Sequence, residues 1–149
     1  MIEGIRVYPL KQIHDERGKV MHMMRNDSPM FEKFGEIYFS ITYPDVVKAW
    51  HLHKKMTLNY AVISGALKFV FYDDRKSSPT FGEIDEIFIS PDNYSLITVP
   101  PNIWNGFKAV GPEISILANC STIPHDREEI IRKPFNDNNI PYKWDIVYK

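Results

Sequence analysis

Apolar and polar positions alternate along this chain in short runs separated by turn residues. Gly4–Leu10, Val20–Arg25, Glu36–Tyr43, Val46–His51, Leu58–Ser64, Ala66–Tyr72, Asp85–Ile89, Ser95–Val99, Asn105–Ala109 and Ile114–Cys120 each read as a strand. Several keep the period of two that sends successive side chains to opposite faces. Eleven prolines and several Asn/Asp turns break the chain between these runs, the punctuation of an all-β protein. The run NYAVIS-GA-LKFVFYD predicts two strands joined tightly at Gly65. Only His125–Arg132 predicts a helix, with Asp126 as its cap and Glu128 and Glu129 near its positive end. The polar tail from Pro134 to Lys149 carries Tyr142 and Trp144 as anchors. So many short strands in one domain spanning 1–149 must close or stack, and a barrel or double-sheet jelly roll with a short C-terminal helix is the economical solution. An immunoglobulin-like sandwich is the alternative, and it explains polar positions at His51 and His53 less well.

Composition narrows the partners. With 44% apolar and 25% charged residues over 149 positions, the chain can build an ordinary core. Lys and Arg number 18 against 19 Asp and Glu, for a net charge of −1. A balanced chain without basic runs argues against nucleic-acid or membrane-surface binding, although a few placed cations suffice for a phosphate. Cys120 is the one cysteine, so the fold does not rest on an internal disulfide. MIEGIRVYPL carries no long apolar stretch, and no window reaches membrane-span length. The expectation is a soluble cytoplasmic protein.

His51 and His53 lie two apart on a predicted strand, so they share a face, and Trp50 and Leu52 take the other. If the apolar pair packs outward, both imidazoles enter the barrel mouth, where they need a ligand, a metal or a catalytic role. If it faces the core, the histidines meet water. Periodicity alone leaves the two arrangements even. Tyr38, Tyr60, Phe69, Phe71 and Phe107 read first as core aromatics.

The order His51-x-His53, Gly65, Val99-Pro100-Pro101-Asn102 and Trp104-Asn105 resembles the two cupin motifs. That resemblance implies a cupin-type double-stranded β-helix, the jelly-roll barrel. Metal-binding cupins carry a glutamate where Leu58 stands and a further histidine where Asn105 stands. Two imidazoles without a carboxylate make a poor metal site, so neither metal nor cofactor is expected.

Further runs resemble the dTDP-4-dehydrorhamnose 3,5-epimerase family. They are Asp15-Glu16-Arg17-Gly18, Asp73-Asp74-Arg75, Ser78-Pro79-Thr80-Phe81-Gly82, Ile89-Ser90-Pro91-Asp92-Asn93, Asn105-Gly106-Phe107, and Asp137 seven residues before Trp144. The resemblance implies proton removal beside the C4 ketone of a nucleotide-linked 4-keto-6-deoxy sugar by a His–Asp dyad, matched by His51 and Asp137. Imidazole suits this chemistry, because a carbon acid beside a ketone needs a base with a near-neutral pKa. The family's arginine before the histidine becomes Lys48, its enolate lysine becomes Leu58, and its second-motif histidine becomes Asn105. Its acid tyrosine falls in Ser121–His125, where no tyrosine stands. Tyr60, on the strand that carries Leu58, is the candidate substitute acid. His51-Leu52-His53-Lys54 also resembles the H-x-H-K of sugar 3,4-ketoisomerases, which assigns His53 a part in proton transfer. Arg17, Lys48, Arg75, Trp104 and Asn105 are the candidate substrate contacts. The reading is a metal-independent sugar-nucleotide epimerase, expected from the resemblance to be a homodimer. A 3,4-ketoisomerase and a non-catalytic sugar-nucleotide-binding cupin are its alternatives.

Overall fold

Twelve strands, described over residues 1–148 in a computed structural model, arise from the alternating runs. They are β1 (Arg6–Pro9), β2 (Gln12–Asp15), β3 (Gly18–Met21), β4 (Glu36–Thr42), β5 (Val47–His53), β6 (Leu58–Ser64), β7 (Leu67–Tyr72), β8 (Ile84–Ile89), β9 (Ser95–Val99), β10 (Trp104–Ala109), β11 (Ser115–Ser121) and β12 (Ile130–Arg132). One sheet runs β1-β9-β6-β11-β4 and the other β12-β5-β10-β7-β8, while β2 and β3 form a separate hairpin. Every pairing is antiparallel. Two such sheets facing each other make the jelly roll of the cupin type.

The strands β6 and β7 are joined at Gly65 as the sequence implies, yet they do not pair, because the chain crosses there from one sheet to the other. Gly65 takes φ +73°, and a Cβ at this position would sit 2.4 Å from the Ile114 carbonyl oxygen. Only glycine makes that corner. A second close approach is Gly106, whose Cβ would fall 2.4 Å from that of Ala49, at the register irregularity between β10 and β5.

The main core lies between the sheets and includes Leu58, Tyr60, Phe69, Phe71, Ile97 and Phe107. A second cluster covers the outer face of the β5 sheet, where Trp50, Leu52, Val70 and Trp104 meet Ile140 and Trp144 of the tail. Trp50 donates its indole N–H to the Phe135 carbonyl at 3.1 Å, and its ring meets that of Trp144 at 5.2 Å. Side chains of this size each contribute about 1.5–3 kcal/mol when fully buried. The outward packing of Trp50 and Leu52 therefore decides between the two arrangements left open by periodicity. The histidines turn inward.

The helix expected over His125–Arg132 does not form. Glu128 N–H bonds the Asp126 carboxylate at 2.9 Å in a turn, after which β12 pairs with β5 as Ile130↔His53, Ile131↔Leu52 and Arg132↔His51. Eight residues gain little as an isolated helix, whereas pairing satisfies the open edge of β5. The strand expected over Val20–Arg25 is likewise displaced to Gly18–Met21, the second arm of the β2–β3 hairpin.

Candidate active site

Between the two sheets opens a cavity of about 660 Å³, a size suited to a small organic ligand. The strand β5 contributes Lys48, His51 and His53 to it, β6 contributes Tyr60, β4 contributes Glu36, Tyr38 and Ser40, and the β12 region contributes His125, Arg132 and Lys133. The two imidazole rings stand 5.9 Å apart, edge to face.

Their surroundings differ. His53 Nδ1 is paired with the Glu129 carboxylate, and both side chains are almost completely buried. The other Glu129 oxygen accepts the backbone N–H groups of Lys55 at 3.1 Å and Met56 at 3.2 Å. Burial alone would raise the Glu129 carboxyl, but the His53 hydrogen bond and these two N–H groups outweigh it and hold it below the usual value. An ionised carboxylate on Nδ1–H leaves Nε2 of His53 as the basic nitrogen.

His51 belongs to another network. The Asn105 amide nitrogen donates to the backbone carbonyls of His51 at 3.2 Å and Ile103 at 3.3 Å, so its oxygen is the acceptor for the Tyr60 hydroxyl, 3.1 Å away. With its proton committed there, the Tyr60 oxygen accepts from His51 Nε2–H at 3.3 Å. This network assigns His51 the Nε2–H tautomer. Desolvation of the ring, then repulsion from His53 when that ring carries a proton and from Arg132, lower its pKa to about 3 against an opposing bond from Asn105. His51 is therefore a neutral imidazole.

Tyr38 faces the histidines from the other sheet. Asn119 accepts the Asn59 N–H on its amide oxygen at 3.1 Å and donates its amide nitrogen to the Tyr38 hydroxyl oxygen at 3.0 Å. Partial burial raises the Tyr38 phenol, opposed by the Asn119 bond. Lys48 bridges the sheets, donating to Ser40 Oγ at 2.8 Å and to the Ile41 carbonyl at 2.7 Å. Arg132 forms no ion pair among the described residues.

Of the sequence-predicted residues, the structure gathers His51, His53, Tyr60 and Lys48 at this cavity, with Asn105 buried behind them and bonded to Tyr60 and the His51 backbone. Asp137 is not there. It closes a turn of the C-terminal tail, accepting Asn139 N–H at 2.9 Å, because the tail is drawn to the outer face of the β5 sheet by Trp144 and Ile140. Arg17 projects from the β2–β3 hairpin tip and pairs with Asp15 in solvent. Arg75 is held by Asp73, whose carboxylate also accepts Ser78 and Thr80 hydroxyls at 2.6 Å each, so it braces a loop. Trp104 packs on the outer face, donating to Asp74 at 2.9 Å, and touches the site only by carrying the Lys133 ammonium 4.6 Å from its ring centroid.

Sequence reasoning missed Glu129, Tyr38 and Arg132. Glu129 was hidden inside the expected helix. Tyr38 had a usable signal, since Glu36, Tyr38 and Ser40 form the polar side of a strand whose other side is Ile37, Phe39 and Ile41. Among the described residues, no three His, Cys, Asp or Glu side chains converge as a metal-ligand set.

The sequence profile of dTDP-4-dehydrorhamnose 3,5-epimerases matches residues 1–149. The chain belongs to that family. A probable low-salt glycan biosynthesis epimerase of Haloferax volcanii is 38% identical, over 95% of this chain and 88% of its own. A spore coat polysaccharide biosynthesis protein of Bacillus subtilis is 30% identical over the full length of both. The crystal structure of a dTDP sugar isomerase from Desulfovibrio desulfuricans superposes with a TM-score of 0.94 at 45% identity, covering 96% of this chain and 92% of that one. No helix among the described residues is long and apolar enough to cross a membrane.

Proposed function

We propose that the protein is an epimerase of a nucleoside-diphosphate-linked 4-keto-6-deoxy sugar, of the dTDP-4-dehydrorhamnose type. The observation that carries this reading is the buried His53–Glu129 pair in an open cavity. A carboxylate fixed on Nδ1 keeps Nε2 free as a base and stabilises the imidazolium that forms, the pairing that proton abstraction beside a ketone requires. The dyad is thus assigned to His53 and Glu129 in place of His51 and Asp137. His51 stands beside it as a neutral group oriented by Tyr60 and Asn105. Lys48, Arg132 and Lys133 supply positive charge on the cavity wall for the diphosphate.

Screening dTDP-, GDP- and CDP-linked 4-keto-6-deoxy sugars by proton NMR in deuterated buffer tests the reading. Deuterium should enter the carbon beside the ketone, with inversion there. Two histidines on one cavity wall also favour a 3,4-ketoisomerase, for which the ketone itself would move. A ligand that binds without any exchange would leave a non-catalytic binding protein.

A homodimer and a cytoplasmic location complete the proposal. The outer face of β4 leaves Ile37, Phe39 and Ile41 exposed as an apolar stripe, which a second copy would cover. Cys120 is a free thiol, as a reducing compartment would keep it. Light scattering should return twice the 17.4 kDa chain mass, and cell fractionation checks the location.

A further inference from the structure

Two tyrosine hydroxyls line the cavity, and their hydrogen bonds distinguish them. The Tyr60 proton is committed to Asn105 Oδ1, whose own orientation is locked by the two backbone carbonyls that its nitrogen serves. Tyr60 also sits on the His51 side of the site, in direct contact with that ring. Tyr38 is the reverse case. Asn119 is locked by the Asn59 N–H, so it can only donate to Tyr38, and the Tyr38 oxygen is an acceptor in that bond. No acceptor for the Tyr38 proton appears among the described residues, which leaves that proton free for the cavity. Its strand, β4, lies like the β6 strand of Tyr60 in the sheet opposite the one that carries both histidines, so the free proton is what separates the two phenols.

We propose that Tyr38 is the catalytic acid that delivers the new hydrogen in the inversion, on the face of the sugar opposite His53. The assignment rests on the epimerase reading. In the first half-reaction His53 Nε2 takes the hydrogen on the carbon beside the ketone as a proton, and the C–H electron pair becomes the C=C bond of an enolate with its negative charge on the C4 oxygen. In the second, the enolate carbon forms a bond to the Tyr38 hydroxyl proton on the other face, the O–H pair stays on the phenolate oxygen, and the C4 ketone is restored. The Asn119 amide already points a donor at the oxygen that becomes negative, and the Arg132 guanidinium partly offsets the Glu36 carboxylate, which opposes that charge. Proton transfer from the His53 imidazolium to the phenolate through solvent returns both groups to their starting forms. Partial burial keeps the phenol protonated at neutral pH, the form an acid must have.

The test follows deuterium entry and inversion separately in the whole protein, with dTDP-4-keto-6-deoxyglucose or whichever of the GDP- and CDP-linked analogues reacts. Tyr38→Phe should keep exchange near the wild-type rate while inversion falls about 100-fold or more. Tyr60→Phe should lower both together and leave their ratio unchanged. Wild-type protein in deuterated buffer should give inverted product carrying solvent deuterium from the first turnover, a measurement that needs no substitution to fold. Tyr38→Phe that inverts at the wild-type rate, or loses exchange and inversion equally, overturns the assignment and leaves the epimerase reading standing. So does inverted product that keeps the substrate's own hydrogen. Wild-type protein that neither exchanges nor inverts any of the three overturns the epimerase reading, and the role of Tyr38 with it.

Discussion

His51 and His53 occupy the same face of one strand, two residues apart, and still behave as different chemical groups. His53 faces a carboxylate held by two backbone N–H groups, so a proton gained on its outer nitrogen has a counter-charge waiting. His51 faces a phenol and an amide, neutral partners that cannot offset an imidazolium, and desolvation then keeps it unprotonated. Sequence spacing sets which face a histidine occupies. What it does there is set by residues that lie 9, 54 or 76 positions away along the chain.

The strongest way to break this comparison is to remove the counter-charge. Glu129→Gln keeps an oxygen for the backbone N–H groups but takes the negative charge from His53. Exchange and inversion should both fall about 10²–10⁴-fold, with circular dichroism showing the fold retained. Asp137→Asn, in the tail turn, should leave the rates unchanged and stability within about 0.5 kcal/mol. The opposite outcome, loss of exchange in Asp137→Asn with Glu129→Gln active, would falsify the His53–Glu129 dyad.

The pattern of apolar and polar positions made the sheets legible, and with them the shared face of His51 and His53. It left open which way that face points. The answer came from the tail, because Trp144 and Ile140 give Trp50 and Leu52 an outer surface to bury against. The dyad carboxylate was not legible for a related reason. Glu129 lies in a segment whose composition favours a helix locally, and its extended path is fixed only by pairing with β5, a contact remote in sequence. Asp137 had the right chemistry and a motif to support it, but position relative to Trp144 along the chain says nothing about which sheet face the tail covers. Asn105 was identified as a departure from the histidine-bearing motif. Its role as the group that locks Tyr60 and His51 needed the hydrogen-bond geometry.

A smaller effect sharpens the comparison without any substrate. Because the folded protein holds His51 near a pKa of about 3, while an unfolded chain protonates it around the ordinary imidazole value of 6.5, the unfolded state binds the extra proton as pH falls between those values. Stability should therefore drop on the acid side of about pH 6.5, by up to about 1.4 kcal/mol per pH unit for this one site. Carboxylates with lowered values, Glu129 and Asp73 among them, stabilise the fold at higher pH and lose that contribution only as the pH approaches their unfolded values near 4. The interval from pH 6.5 to 4.5 is thus where His51 stands apart. Over it, denaturant melts of wild-type protein should lose roughly 2–3 kcal/mol more than those of His51→Gln, which cannot titrate and can still offer an N–H to Tyr60. Curves that stay parallel across that interval would mean the ring gains its proton in the folded state, and the distinction between the two imidazoles would dissolve.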